Sequence, residues 1–167
     1  TQIEMLPNIL TREDDEISQE LHKQFIKEGV DLHTNTTCKA IVSENGKQVM
    51  VLKKGGEELR IKFDKVLIAT GRTANSKGFG LENIGIKFDQ KNRIIVDNYL
   101  RTSIHKNIYA CGDVVGPYQF THTAAHQAWY CVVNALFSPF KKFKVDYSII
   151  PWCTFTNPEI ARVGLNE

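Results

Sequence analysis

Apolar residues recur along this chain with two different periods. Between Thr11 and Val30 they fall at Ile17, Leu21, Phe25 and Ile26, the spacing of one helical face, behind acidic residues at 13–16 and ahead of Gly29. Carboxylates in a first turn and a glycine just past the end are helix start and stop signals. The spacing therefore predicts a helix over 11–30. Residues 2–6 read as the end of a strand with Glu4 near its tip, and 30–43 as one or two strands. From 46 to 64, alternation on either side of Lys53-Lys54-Gly55-Gly56 predicts a β-hairpin. The apolar run at 65–71, ending in Gly71, reads as a strand buried on both faces. Residues 93–103 and 107–114 predict two more strands, Thr121–Phe137 an amphipathic helix closed by Ser138-Pro139, and 147–165 a β-rich stretch. A Gly-, Asn- and Ser-rich passage over 72–86 suggests a crossing between domains.

Composition narrows this picture. The chain has 167 residues, 42% hydrophobic and 24% charged, as in globular proteins that bury a core. A net charge of +2 is too small to imply a nucleic-acid partner, and Lys141-Lys142-Phe143-Lys144 reads as a solvated linker. No apolar run reaches the ~18 residues a membrane helix needs. Four cysteines, Cys38, Cys111, Cys131 and Cys153, lie too far apart for zinc or redox-pair spacing. Reduced, mostly buried thiols in a cytoplasmic protein are expected. The chain opens on Thr-Gln-Ile-Glu, as though cut from a longer one.

Chemistry gathers at residues 107–130. A strand that delivers Gly112-Asp113 to its carboxyl tip, followed by a helix, is where open α/β sheets bind ligands. The Asp113 carboxylate can accept hydrogen bonds from sugar or polyol hydroxyls, Gly112 permits close approach, and a helix starting near Thr121 aims free N–H groups at the same crevice. The alternative is that Asp113 caps a turn. Glu4 has the position of a carboxylate that binds an adenine ribose 2′-OH, or of a surface glutamate. Gly78-Phe79-Gly80-Leu81-Glu82-Asn83 lacks the last glycine of a phosphate-binding fingerprint and follows a loop.

The stretches VLIATGR, RTSIHKNIYACGDV, THTAAHQA and FTNPEIARVGLNE, in that order, resemble the flavin-dependent pyridine nucleotide–disulfide oxidoreductases, the family of dihydrolipoamide dehydrogenase, glutathione reductase and mercuric reductase. The resemblance spans essentially the whole chain. It implies an α/β fold: part of a three-layer FAD/NAD(P)-binding Rossmann-like architecture, followed by the start of an α+β dimerisation domain. Residues 1–72 would be the later part of the NAD(P)-binding domain. Residues 73–140 would return to complete the FAD domain, and 141–167 would open the dimerisation domain. Asp113 would then hold the ribityl chain of FAD. Gln119, Phe120, Thr121 and His122 would begin a helix beneath the flavin, whose dipole favours the anionic reduced ring.

Glu4 becomes the adenine-ribose ligand, favouring NAD over NADP, and Gly71 and the backbone of Cys38 become nicotinamide-cofactor contacts. Cys111, Cys131 and Cys153 are expected as packed thiols. The family's redox cysteines and catalytic His-Glu pair fall outside these residues, so no catalytic residue is assigned and 167 residues alone are expected to be inactive. The implied parent is a homodimer that reduces a small disulfide or a metal ion. Other readings are a nucleotide-binding or interaction module without redox cysteines, and a single-cysteine NADH oxidase or peroxidase relative.

Overall fold

The structure, a computed structural model, describes residues 1–166, in two compact units: residues 1–69 with Asn166, and residues 70–165. Glu167, the last residue of the expected third segment, lies outside the described residues.

In the first unit, β1 (Gln2–Ile3) and β2 (Leu32–His33) pair in parallel around helix α1 (Asp15–Lys27). The helix stops as the sequence predicts. Gly29 adopts φ +84°, and the Val30 and Gly29 N–H groups return to the carbonyls of Phe25 and Ile26, the paired bonds that satisfy a helix end. Leu21 is buried, and the buried Ser18 hydroxyl donates to the Ile9 carbonyl at 2.6 Å. The hairpin is also present. β4 (Lys47–Lys54) and β5 (Glu57–Phe63) join at Gly55-Gly56, both at positive φ as a tight primed turn requires. β3 (Thr36–Glu44) pairs with the other edge of β4, and the central strand buries Val49, Val51 and Leu52.

Residues 65–71 are not a strand. They pair with nothing among the described residues, and Leu67 and Ile68 are 90% and 73% exposed. A strand buried on both faces exists only between neighbours, and none of the described strands flanks this run.

The second unit is built on turns where the sequence predicts strands over 93–103 and 107–114. Asp89 and Asp97 each head a copy of one hairpin turn. Asp89 Oδ1 accepts the N–H groups of Lys91 (2.8 Å) and Arg93 (2.9 Å), while Oδ2 meets the Arg93 guanidinium at 2.6 Å. Asp97 repeats this with Tyr99 (2.9 Å), Arg101 N–H (3.0 Å) and the Arg101 guanidinium (2.8 Å). The fourth residues, Asn92 and Leu100, take left-handed backbones at φ +58° and +63°. Only isolated bridges flank these turns: Phe88–Ile94, Val96–Thr102 and Arg101–Tyr109. The aspartates outcompete extension, because their side chains offer the backbone a local partner.

Helix α2 spans Thr121–Phe137 as the pattern predicts, but its faces are reversed. Thr123, Gln127 and Asn134 are buried, whereas Trp129, Val132 and Leu136 are more than half exposed. The buried side packs on loop backbone, whose N–H and C=O groups need partners. Asn134 supplies them, donating to Phe143 O (2.8 Å) and Tyr99 O (3.2 Å) and accepting from Phe143 N (2.8 Å). Near the end, β6 (Trp152–Thr154) and β7 (Ile160–Arg162) make a short antiparallel pair. No described helix is long and apolar enough to cross a membrane.

Candidate functional site

The corner between Gly112 and α2 is held by one side chain. Gln127, fully buried, accepts the Gly112 N–H on Oε1 and donates from Nε2 to Gly116 O (2.8 Å) and to the Tyr147 hydroxyl oxygen (2.9 Å). It spans the loop, satisfying a buried donor at one end and a carbonyl at the other. Gly112 takes φ +81°, and a Cβ there would meet Ala124 Cβ at 3.4 Å, so glycine serves both the backbone and the close packing on α2. Ile94 N–H donates to Val114 O at 2.7 Å and ties the far side of the corner to the hairpins.

Asp113 sits in the single 3-10 turn Gly112–Val114, with its side chain 47% exposed. Its one described ionic neighbour is Arg72, whose Nη1 lies 3.8 Å from Oδ2 and donates to Gln119 O at 3.0 Å. The carboxylate is therefore held at the surface of the corner with most of its accepting capacity unspent. It caps no described turn, so the capping alternative has no hydrogen bond behind it. Just beyond, α2 begins at Thr121, and Phe120 before it provides no side-chain cap, with no acidic residue in the first turn. Its opening N–H groups and the positive end of its dipole stay available to an anion or a ring acceptor. Thr123 Oγ1, in the same turn, is buried without a hydrogen-bond partner, an arrangement native proteins seldom leave unfilled.

An apolar cavity of about 650 Å³ adjoins this helix start, lined by Phe120, Thr121, His122, Trp152, Phe155 and Arg162 among others. Phe120 stacks on His122 (centroids 5.3 Å apart, 10° between planes) and on Trp152 (5.9 Å, 21°). The corner thus combines a polyol acceptor, uncapped N–H donors, an orphaned hydroxyl and flat aromatic surfaces. Those features fit a flavin nucleotide.

Of the residues expected at a cofactor, Gly112, Asp113, Gln119, Phe120, Thr121 and His122 share this corner. Gly71, at φ +125°, precedes Arg72 in the same unit. Glu4 and Cys38 lie in the first unit. Glu4 stands at the carboxyl end of β1, its N–H on His33 O and its Oε1 accepting Leu6 N–H at 2.8 Å. Cys38 is exposed at a β-bulge between Cys38 and Ala40 in β3. The expectation of mostly buried thiols is corrected: Cys111, Cys131 and Cys153 are half-buried. His126 is spent on structure, its Nε2 3.1 Å from Asp146 O.

Three residues of the corner escape the sequence reading: Gln127, Thr123 and Arg72. Thr123, Gln127 and Asn134 recur at steps of four and seven, a polar stripe along one helical face, and that stripe is the legible signal. Arg72 leaves none.

Known proteins share this chain's sequence pattern and fold. Residues 1–128 match the family described as pyridine nucleotide-disulphide oxidoreductase. A dihydrolipoyl dehydrogenase of Mycobacterium leprae is 36% identical over 100% of the chain and 35% of its own length. A mercuric reductase of Staphylococcus aureus is 40% identical over 92% of the chain and 28% of its own. Among solved structures, the HOCl-induced flavoprotein disulfide reductase RclA of Escherichia coli, as its Cu(II) complex, superposes at TM-score 0.83 with 28% identity, covering 99% of the chain and 37% of RclA. LpdA of Mycobacterium tuberculosis gives 0.84 and 26%, over 98% of the chain and 34% of LpdA. The chain spans about a third of the length of these relatives. It has their α/β fold, and by the match over residues 1–128 it belongs to the pyridine nucleotide-disulphide oxidoreductases.

Proposed function

We propose that these residues serve a homodimeric flavoprotein oxidoreductase that takes reducing equivalents from NADH and delivers them to a small disulfide or a metal ion. The observation that carries the reading is the Asp113 corner: an under-used carboxylate beside an uncapped helix start that holds a buried, unpartnered Thr123 hydroxyl. FAD, when bound, supplies hydride acceptance from nicotinamide and onward electron transfer. This chain's own part is to bind and orient. Asp113 accepts ribityl hydroxyls, Gly112 allows the approach, and the backbone from Gln119 to His122 meets the polar edge of the ring. Gln127 keeps the loop and helix in register for those contacts.

Glu4 accepts the adenine-ribose hydroxyls of NADH and repels the 2′-phosphate of NADPH. Gly71 and the Cys38 backbone contact the same cofactor. Residues 1–72 belong to the NAD-binding domain, 73–140 to the FAD domain and 141–167 to the dimerisation domain. The redox disulfide and the acid–base pair come from elsewhere in the parent enzyme, which is cytoplasmic.

Anaerobic addition of NADH to the flavin-loaded, full-length polypeptide tests this. Bleaching of the visible flavin band, faster with NADH than with NADPH, is expected. A full-length polypeptide that is colourless and takes up no added FAD would overturn the reading.

A further inference from the structure

Directly behind the Asp113 corner lies a feature that flavin binding does not use. Cys111 ends the segment that leads into Gly112, and Cys131 lies one helical turn after Gln127, the residue that grips Gly112. Cys131 Sγ lies 3.7 Å from the carbonyl oxygen of Ala110, the residue before Cys111, and the two thiol side chains interact. Both are half-buried and neither is in a disulfide.

Burial, and then the neighbouring Cys111, push the Cys131 thiol up to about 12. Held as a neutral thiol, Cys131 is a slow nucleophile toward ordinary oxidants. Among the described residues no cluster of three or more His, Cys, Asp or Glu could hold a metal ion, so a four-coordinate cation such as zinc has no ligand set here.

From this juxtaposition we infer that Cys111 and Cys131 form a dithiol site for trivalent arsenic. Pyramidal As(III) carries two sulfurs at an angle near a right angle, so it suits two thiols held close together, as the Ala110 contact of Cys131 holds these. A linear two-coordinate ion would have to spread them. The chemistry needs neither a thiolate nor an oxidant. With an arsenoxide, R–As=O + 2 RSH gives R–As(SR)₂ + H₂O: two As–S bonds form, and the oxygen leaves as water with both thiol protons. Arsenic stays trivalent and the product is neutral, which suits a half-buried position.

Phenylarsine oxide is the probe, applied to the full chain before iodoacetamide labelling and peptide mass analysis. One equivalent should block alkylation of Cys111 and Cys131 together and leave Cys38 and Cys153 open. The block should survive a hundredfold excess of a monothiol and be reversed by a dithiol. Cys111→Ala or Cys131→Ala should each make the adduct removable by monothiol. Protection of only one of the two cysteines, or loss of the adduct to monothiol in the unsubstituted chain, overturns the inference. That wild-type arm needs no variant to fold, and neither arm depends on bound flavin.

Discussion

Replacing Gln127 with Ala removes the clamp at the Asp113 corner, and the structure sets the size of the loss. Three hydrogen bonds go: from Gly112 N–H, to Gly116 O and to the Tyr147 hydroxyl. A neutral hydrogen bond contributes about 1 kcal/mol net, and a buried group left without a partner costs about 1–3 kcal/mol. Gly112 and Gly116 are both buried, so water cannot replace the amide freely. The expected destabilisation is about 3–5 kcal/mol, a large share of the ~5–15 kcal/mol that holds a domain together. Urea unfolding followed by far-ultraviolet circular dichroism, on the chain and on Gln127→Ala, measures it. Gln127→Glu provides the control. It keeps an acceptor for Gly112 N–H but loses the donor to Gly116 O once ionised, so its deficit should grow as pH rises above the ordinary glutamate range. A loss under about 1 kcal/mol for Gln127→Ala would refute the clamp, because the corner would then be held by other contacts.

Three further outcomes follow from the same geometry. Thr123→Val removes an unpartnered buried hydroxyl, so the chain should lose no stability in a thermal melt, and a clear drop in the melting temperature would show that the hydroxyl has a partner. Asp97 is raised by burial but lowered further by the Arg101 side chain and the N–H groups of Arg101 and Tyr99, so its carboxyl lies below the usual range. A depressed folded value means its stabilisation is complete above the unfolded pKa of about 3.9 and fades as pH falls through the folded one. Asp97→Asn should therefore flatten the stability profile in that acid window, and an unchanged acid-unfolding midpoint would count against the ion pair. If Glu4 has the proposed coenzyme role, Glu4→Ala should shift the NADH to NADPH ratio of kcat/KM toward NADPH by about tenfold, about 1.4 kcal/mol; equal ratios in the two proteins would remove Glu4 from the coenzyme site.

The parts of this fold that sequence reveals are those decided by local chemistry. Gly29 ends α1, Gly55-Gly56 turns the hairpin, and Thr121–Phe137 is helical because each signal acts within a few residues. Where the outcome depends on neighbours, the reading departs from the structure. The run at 65–71 is apolar enough for a central strand, but no described strand lies beside it. At Asp89 and Asp97 a side chain satisfies the backbone that a ladder would otherwise take, and extended segments become turns. The site divides in the same way. Gly112-Asp113 and the helix start stand out because a Gly-Asp pair between an apolar run and a helix is a local pattern, although the run itself is not a strand. Gln127 and Thr123 do not, because a polar residue on a helix face carries meaning only once the packed surface is known to be bare backbone. Arg72 reaches Gln119 across 47 residues of chain, a pairing no spacing rule contains.

We propose that the Asp113 carboxylate binds a flavin and does not merely cap a turn. The direct measurement is the FAD dissociation constant of the full-length polypeptide and of Asp113→Ala, from flavin fluorescence, beside a thermal melt of each flavin-free protein. Hydrogen bonds to a charged group are worth about 1.5–3 kcal/mol, so affinity should fall about ten- to a hundredfold. The flavin-free melts should coincide, since an exposed pair 3.8 Å apart such as Arg72–Asp113 adds little. Equal FAD affinity in the two proteins would contradict the claim, and a lowered melt with unchanged affinity would return Asp113 to a structural role.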